Sequence, residues 1–247
     1  MTAAICAPSS DAVSDGWPRR APEPVGRRSV DIATVISHAL LFNPSSERRM
    51  PNDLDASVSR LLSQLEGIGT PYLLVGGLAL LRYVAGRNTE DIDLVMALGD
   101  ARRVPGLEIK RHDRDFAQAS FEGLTVDLLL TSNALFERIR RRHGDTMDYL
   151  GHRIPVASAT GLVALKLYAL PSLYRQGEIA KVQLYEGDLA MLLQAQPIDI
   201  EGVFAELTTA VSATDLAELR SIHAEIAARL TRGDRFGAAD AASSDPG

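Results

Sequence analysis

Residues 72–97 read YLLVGGLALLRYVAGRNTEDIDLVMA, and this stretch predicts the fold of the chain around it. The first four residues, Tyr72–Val75, are apolar and typical of a buried strand. Gly76 and Gly77 interrupt the apolar run and predict a turn before a short helix. A second strand, residues 91–96, follows and carries two aspartates. The order of strand, glycine turn, helix and strand indicates a sheet with helices packed on it.

The two aspartates of the second strand, Asp91 and Asp93, are separated by Ile92. Positions two apart in a strand face the same side, so both carboxylates project together. Two like charges this close raise each other's pKa unless a cation lies between them. Hard divalent ions such as Mg²⁺ prefer carboxylate oxygens and leave coordination sites open for phosphate. The pair indicates a metal site, and the alternative is a solvated strand edge.

A third carboxylate, Asp127, lies inside the apolar run TVDLLL of residues 125–130. A charge buried without a partner is costly, so its presence there needs a reason. If this strand lies beside the strand of Asp93, the carboxylates converge and can hold two metal ions. Such a pair can activate a hydroxyl and neutralise a triphosphate during an in-line displacement. Gly76 and Gly77 would let the backbone approach the phosphates closely.

The ordered combination of these features carries a family resemblance. The segment VGGLALLRYVAGRNTEDIDLVMA resembles the signature of the polymerase-β-type nucleotidyltransferase superfamily. Its R-x-T-x-D-x-D part, from Arg87 to Asp93, resembles the AbiEii/AbiGii branch of bacterial toxin nucleotidyltransferases, which includes the mycobacterial MenT toxins. The resemblance covers about residues 55–195. One departure is Leu78, which stands where many superfamily members have serine and leaves the backbone N–H groups to bind phosphate.

The resemblance implies a role for each matched residue. The implied nucleotide-binding residues are Gly76, Gly77, Arg87, Thr89 and Lys166. The implied catalytic residues are Asp91, Asp93, Asp127, Lys166 and Asp188. The first three of these would bind two Mg²⁺ ions, for which Mn²⁺ can substitute, and Asp127 would activate the acceptor hydroxyl. The substrate implied is a nucleoside triphosphate (NTP).

Lys166 and Asp188 also stand out without the resemblance, because each lies in an apolar run predicted to be helical. The simpler interpretations are a lysine that extends to solvent and an aspartate on an exposed helix face. The turn between the two helices is predicted near residues 171–177. Antiparallel packing would then place both side chains at similar heights, where they can pair or face the cleft together.

A basic run stands out in a chain whose formal net charge is −6. Its arginines are Arg138, Arg140, Arg141 and Arg142. The run is either a solvated helix face or a patch that follows the phosphates of an RNA acceptor, and the sequence supports both equally. The overall charge excludes a protein coated uniformly in basic residues, but a local patch remains compatible with it.

Composition and length define the broad class. The chain has 247 residues, 46% of them hydrophobic and 23% charged, which is typical of a globular protein. Its single cysteine excludes an intramolecular disulfide framework and fits a cytoplasmic location. No apolar run approaches the roughly 18 residues of a membrane helix. We predict an α/β (α+β) fold in four parts: a disordered leader (1–28), a mixed-sheet nucleotidyltransferase domain (29–156), a helical bundle that completes the cleft (157–230) and a disordered tail (231–247).

The resemblance and the residues together predict an enzyme that transfers an NMP from an NTP to a hydroxyl acceptor and releases pyrophosphate. The toxin-like pattern favours the tRNA 3′ end as acceptor and a neighbouring antitoxin as protein partner. One alternative is transfer to a small molecule such as an aminoglycoside, or to a protein side chain. Another is a catalytically silent NTP-binding or antitoxin-like module.

Overall fold

The computed structural model describes residues 51–84 and 91–242 of the chain. The predicted leader and the predicted residues Arg87 and Thr89 lie outside the described part. Within it, no helix combines the length and the apolar character required to cross a membrane. The mixed sheet followed by a helical region, which the sequence predicts, is confirmed.

Seven strands form a single mixed sheet. The strands are β1 (Tyr72–Val75), β2 (Ile92–Met96), β3 (Leu107–His112), β4 (Phe116–Phe121), β5 (Leu124–Leu130), β6 (Gly144–Tyr149) and β7 (His152–Ala157). Their order across the sheet is β3-β4-β5-β2-β1-β7-β6. The pairs β2–β5 and β1–β7 are parallel, whereas the other neighbours are antiparallel. The centre of the sheet therefore consists of the two strands of the opening stretch and their two parallel neighbours.

Eight helices lie in the described residues. They are α1 (Pro51–Ile68), α2 (Gly76–Leu80), α3 (Leu98–Ala101), α4 (Ala134–Arg142), α5 (Ala159–Gln176), α6 (Ile179–Ala195), α7 (Ile200–Leu207) and α8 (Ala213–Ala242). Asn133 caps α4, because its side-chain oxygen accepts hydrogen bonds from two backbone N–H groups of the first turn. The last four helices follow the sheet and pack on one another.

Helix α1 is held against the sheet by both apolar and polar contacts. Its buried positions, among them Leu61 and Leu65, fall at helical spacing on the side that faces the sheet. On the flank, His152 at the start of β7 lies 3.0 Å from the Ser59 hydroxyl and 3.0 Å from the Glu66 carboxylate. These two contacts fix the position of α1 along β7.

Helix α5 is longer than the sequence predicts. We expect it to end at Leu170, before Pro171, but it continues through the proline to Gln176. Proline removes only one backbone donor, and the buried Leu170 keeps the helix packed on the core. Gly177 then ends the helix in the left-handed conformation, with φ of 70°, and its N–H bonds to the last-turn carbonyls.

Two other predictions about elements differ from the structure, and one helix has no counterpart in the sequence-based expectations. The disordered tail predicted from residue 231 is wrong as far as Ala242, because α8 continues to that residue. The glycine turn is wrong as well, since Gly76 and Gly77 form the first turn of α2. Helix α3 was not predicted, because a four-residue helix shows no periodicity.

Candidate active site

The candidate site is built on a row of paired residues that crosses the middle of the sheet. Val75 of β1 pairs with Asp93 of β2, and Asp93 pairs with Asp127 of β5. Asp127 pairs in turn with Gln118 of β4. Directly paired residues point to the same face of a sheet, so the two carboxylates project side by side. The two aspartate strands are neighbours, which is the condition under which the sequence predicts that their carboxylates converge.

Asp91 occupies a different position from Asp93 and Asp127. It lies in the bend before β2 and is exposed. Ile92 and Leu94 are buried, as the alternation of the strand predicts. The charge of Asp91 still reaches Asp93, because it contributes to the raised pKa of that residue. The structure thus brings two of the three predicted carboxylates together, with the third at the edge of the site.

The pKa of Asp93 is raised from 3.8 to about 7. The largest cause is burial, followed by the negative charges of Asp127 and Asp91. The Lys166 ammonium and a hydrogen bond from the Gly77 backbone N–H act in the opposite direction. Two carboxylates at this separation are stabilised as anions by a cation between them. The electrostatics of the site therefore favour binding of a positively charged ion.

Gly76 is required by the position of the Asp93 carboxylate. Its φ is +67°, a conformation that other residues rarely adopt. A Cβ added at Gly76 would overlap the carboxylate of Asp93. The adjacent N–H of Gly77 donates to that same carboxylate. The glycines therefore bring the start of α2 against Asp93 and contribute to the site through the backbone.

Substitution of Gly76 by alanine should damage both the fold and the site. The matched control is Gly177→Ala, because Gly177 has a similar φ of +70° with nothing within 4 Å of an added Cβ. We expect about 1–2 kcal/mol of destabilisation for Gly177→Ala from the left-handed backbone alone. Gly76→Ala should cost at least about 1 kcal/mol more, because Asp93 must also move. Urea unfolding of the two variants measures the difference, and equal costs would contradict the described contact.

Lys166 and Asp188 form a buried pair behind the carboxylates. The Lys166 ammonium lies 2.6 Å from a carboxylate oxygen of Asp188 and 4.3 Å from the ring centre of Tyr185. With the observed helix bounds the two side chains lie at similar heights along the antiparallel helices. Lys166 precedes the end of α5 by about 15 Å, and Asp188 follows the start of α6 by about 14 Å. Of the two arrangements that the sequence allows, pairing is the one that the structure shows. Asp188, 1% exposed, does not line the cavity, but its partner Lys166 does.

A cavity of about 480 Å³ opens over this face of the sheet. One wall contains Gly76, Asp93 and Asp127, and the facing wall contains Lys166 and Tyr185. Further lining residues are aromatic or lie on the β3–β4 hairpin: Phe116, Phe136, Tyr168, Arg111, His112 and Asp113. The volume and the mixed lining are typical of a pocket that binds a small molecule.

Gln118 is a site residue that the sequence reasoning missed. Its amide donates to a carboxylate oxygen of Asp127 at 3.3 Å. The sequence contains a signal for it, because Glu122-Gly123 between two apolar runs indicates a two-residue turn. That turn sets the register of the hairpin and places Gln118 opposite Asp127. Tyr185 was also missed, and its contact with Lys166 depends on helix packing that no local pattern reveals.

The basic run on α4 does not act as one surface. Arg138 donates to the Glu206 carbonyl at 3.1 Å, and Arg140 forms a bidentate pair with Glu137 at 2.8 Å. Both arginines are half-buried, whereas Arg141 and Arg142 are exposed. An RNA-binding patch of all four arginines, one of the two interpretations of the run, would require Arg138 and Arg140 to leave these contacts. Arg138 connects α4 to α7, whereas the pair of Arg140 and Glu137 lies within α4 itself.

The residues of the site fit a magnesium ion. Among residues 55–84 and 91–233, no three His, Cys, Asp or Glu side chains group as a complete ligand set. Mg²⁺ is commonly bound by one or two carboxylates together with substrate phosphates, and it retains several waters. Asp93 and Asp127 supply such a pair at the cavity wall. The raised pKa of Asp93 is the effect that a cation would reverse.

No protein-family model and no curated protein matches the sequence. Among solved structures, the chain is similar to an antigenic nucleotidyltransferase-like protein from Paracoccidioides brasiliensis, at 20% identity, with 73% of this chain and 93% of that chain covered and a TM-score of 0.47. It is also similar to ANT(2″)-Ia in complex with adenylyl-2″-tobramycin, at 12% identity, 69% and 99% coverage and a TM-score of 0.44. A putative nucleotidyltransferase from Thermotoga maritima is similar at 14% identity, 58% and 99% coverage and a TM-score of 0.39.

Proposed function

We propose that this chain is a metal-dependent nucleotidyltransferase that moves an NMP from an NTP to a hydroxyl acceptor. The observation that carries the proposal is the register of Asp93 against Asp127 on the parallel strands β2 and β5, at the wall of a 480 Å³ cavity. A carboxylate pair there, with a lysine facing it and the two glycines of the first turn of α2 beside it, is suited to hold Mg²⁺ and a triphosphate together.

Each residue has a distinct role in the proposed reaction. Asp93 and Asp127 would hold magnesium, which supplies charge neutralisation for the phosphates when bound. Asp127 would accept the proton of the acceptor hydroxyl as its oxygen forms a bond to the α-phosphorus. The bond from that phosphorus to the oxygen leading to the β-phosphate breaks, and pyrophosphate leaves. Lys166, held by Asp188, would place its charge near the phosphates.

The finer proposal concerns the acceptor and the biological role. We propose that the acceptor is the 3′ end of tRNA and that the chain is the toxin of a toxin–antitoxin pair acting in the cytoplasm. The segment from Arg87 to Asp93 supports this proposal through its likeness to the AbiEii/AbiGii pattern. An adjacent gene encoding a small antitoxin would support it further, and mass spectrometry of total RNA after incubation with each NTP would identify the acceptor.

The catalytic proposal is tested by label transfer. Wild-type protein, Mg²⁺ and each [α-³²P]NTP would be incubated in parallel with total tRNA, an aminoglycoside and a protein extract. We expect label in one acceptor, complete loss with EDTA and recovery on adding Mg²⁺. Asp127→Asn should reduce the rate by at least about 10²-fold, because it removes both a ligand and the base.

The same experiment separates the alternatives. Label in the drug or in protein would replace tRNA as the acceptor and leave the enzyme class intact. No transfer to any acceptor, together with no binding of Mg²⁺-NTP by calorimetry, would contradict the enzyme proposal and favour a silent module. Asp148→Asn is the matched control, because Asp148 is exposed on β6 and does not line the cavity.

A further inference from the structure

The row of functional side chains continues past Gln118 onto the next strand. Ile109 of β3 pairs with Ala119 of β4. An unbroken ladder from that pair would bring Arg111 opposite Ala117, on the other face of the sheet. The ladder instead shifts by one residue, and Arg111 pairs with Gln118. Such β-bulges redirect side chains near functional sites, and this one turns Arg111 to the cavity face.

Arg111 is available at that position. It is exposed, it lines the cavity, and among the described residues its side chain makes no hydrogen bond or ion pair. Lys166, which together with Arg111 makes up the lysine and arginine side chains of the described lining, is 2.6 Å from the Asp188 carboxylate. The Cα of Arg111 lies two strand spacings from that of Asp127, roughly 10 Å. A guanidinium there can bind a phosphate while the attached molecule reaches the carboxylates.

The neighbouring acid does not neutralise Arg111 by pairing with it. Asp113 also lines the cavity, but its carboxylate accepts backbone hydrogen bonds from Asp115 and Phe116, each at 2.8 Å. These bonds lower the pKa of Asp113 and direct the carboxylate toward its own loop. They also fix the backbone of Phe116 at the cavity wall.

Phe116 provides a flat apolar surface on β4, the strand that lies between those of Arg111 and Asp127. It stands two residues before Gln118 on β4, so both side chains face the cavity. Its ring packs against Phe136 at a centroid distance of 5.4 Å, and it remains 46% exposed. An exposed, supported ring beside a guanidinium matches the chemistry of a nucleotide, whose base stacks and whose phosphate carries negative charge.

We propose that Arg111 and Phe116 form the acceptor subsite, which binds the 3′-terminal nucleotides of a single RNA strand. This inference rests on the proposed transferase function. The terminal hydroxyl lies at Asp127, a terminal base stacks on Phe116, and an internucleotide phosphate binds Arg111. The NTP occupies the opposite side, between the carboxylates and the α5–α6 wall that carries Lys166 and Tyr185. The cavity is thereby divided into a donor side and an acceptor side.

The test is RNA binding by fluorescence anisotropy, with a short 5′-labelled single-stranded RNA at several salt concentrations. Arg111→Ala should weaken binding by about tenfold and reduce the slope of log Kd against log[salt] by about 0.7–1. The matched control is Arg114→Ala, since Arg114 is on the same hairpin, is 86% exposed and does not line the cavity. It should leave the slope close to wild type. Phe116→Leu keeps the apolar packing but loses the ring, and should weaken binding about fivefold or more.

A chemical change in the RNA tests which phosphate Arg111 binds. Replacing the last internucleotide phosphate of the RNA by a neutral methylphosphonate should weaken binding to wild type as much as Arg111→Ala does, with little further effect on that variant. Equal slopes and affinities for the Arg111 and Arg114 variants would overturn the subsite. So would an Arg111→Ala variant that loses affinity for Mg²⁺-NTP but keeps affinity for RNA, or one that gains affinity for a polycationic aminoglycoside acceptor.

Measurements of RNA affinity and of label transfer together distinguish a failure of the acceptor subsite from a failure of the transferase proposal. A selective loss of RNA affinity in Arg111→Ala, with no label transfer by wild type, supports the RNA site and contradicts the transferase. Transfer to RNA by wild type that is unaffected by Arg111→Ala in both Kd and KM supports the transferase and contradicts the subsite.

Discussion

Asp93→Asn should inactivate the enzyme and at the same time stabilise the protein near neutral pH. Asparagine keeps the shape of the side chain and can still accept the hydrogen bond from Gly77. It removes a buried negative charge that Asp127 and Asp91 repel. We expect transfer activity to fall by at least about 10³-fold and the free energy of unfolding at pH 8 to rise by about 1–3 kcal/mol.

The pH dependence of this gain follows from the direction of the pKa shift. The pKa of Asp93 is about 7 in the folded protein and 3.8 in the reference state. The folded state thus holds the proton more tightly, so stability falls as pH rises from about 4 to 7 and then stays level. Asp93→Asn should therefore have no stabilising effect below about pH 4 and its full effect above pH 7. Urea unfolding at pH 4, 6 and 8 measures this profile.

The control for this prediction is Asp148→Asn, an exposed aspartate outside the cavity. It should alter neither activity nor stability by more than about 0.5 kcal/mol. A destabilised Asp93→Asn variant at pH 8 would mean that the carboxylate contributes more to folding than its repulsion costs. That result would contradict the account of a site strained by like charges in the absence of a cation.

Variants of Lys166 and Asp188 distinguish a structural role of this ion pair from a catalytic role. Lys166→Met leaves the Asp188 carboxylate buried without its 2.6 Å ammonium partner. Removing one member of a buried ion pair costs about 3–5 kcal/mol, whereas replacing both members by apolar residues is often neutral. We expect Lys166→Met to be strongly destabilised and the double variant Lys166→Met/Asp188→Leu to recover most of the loss. Thermal unfolding and label transfer would be measured on all variants.

Activity should not follow stability in this series. The double variant should fold well and still transfer label at least about 10²-fold more slowly, because the charge near the phosphates is missing. Asp188→Asn should retain partial activity, since Lys166 keeps its charge and its contact with Tyr185. A stable double variant with wild-type activity would show that the pair serves the fold alone.

The sequence predicts those parts of the fold that depend on local pattern. It predicts strands at residues 72–75, 116–121 and 124–130 and a helix at 134–142, and β1, β4, β5 and α4 have these bounds. Apolar runs, a two-residue turn and an Asn cap define them. Helix α5 was predicted to end too early, since Pro171 suggests a break. Buried packing of Leu170 overrides that local preference, and only Gly177 ends the helix.

The candidate site is predictable where strand register decides it. Alternation and pairing place Asp93, Asp127 and Gln118 in one row, and the first two were predicted. Arg111 joins that row only because of a β-bulge. Alternation along β3 alone would assign Arg111 to the opposite face of the sheet. The contacts that occupy Arg138 and Arg140 come from residues distant in the sequence or from the helix itself, so a count of arginines overestimates the basic surface.

Calorimetric titration of the protein with the Mg²⁺ complex of a non-hydrolysable NTP analogue tests the central claim most directly. Repeating it in two buffers of different ionisation enthalpy reports the protons released on binding. Because the pKa of Asp93 is about 7, we expect about half a proton to be released at pH 7 and almost none at pH 9. Binding should be lost in Asp93→Asn and Asp127→Asn. Unchanged binding in these two variants would contradict the assignment of Asp93 and Asp127 as the metal site.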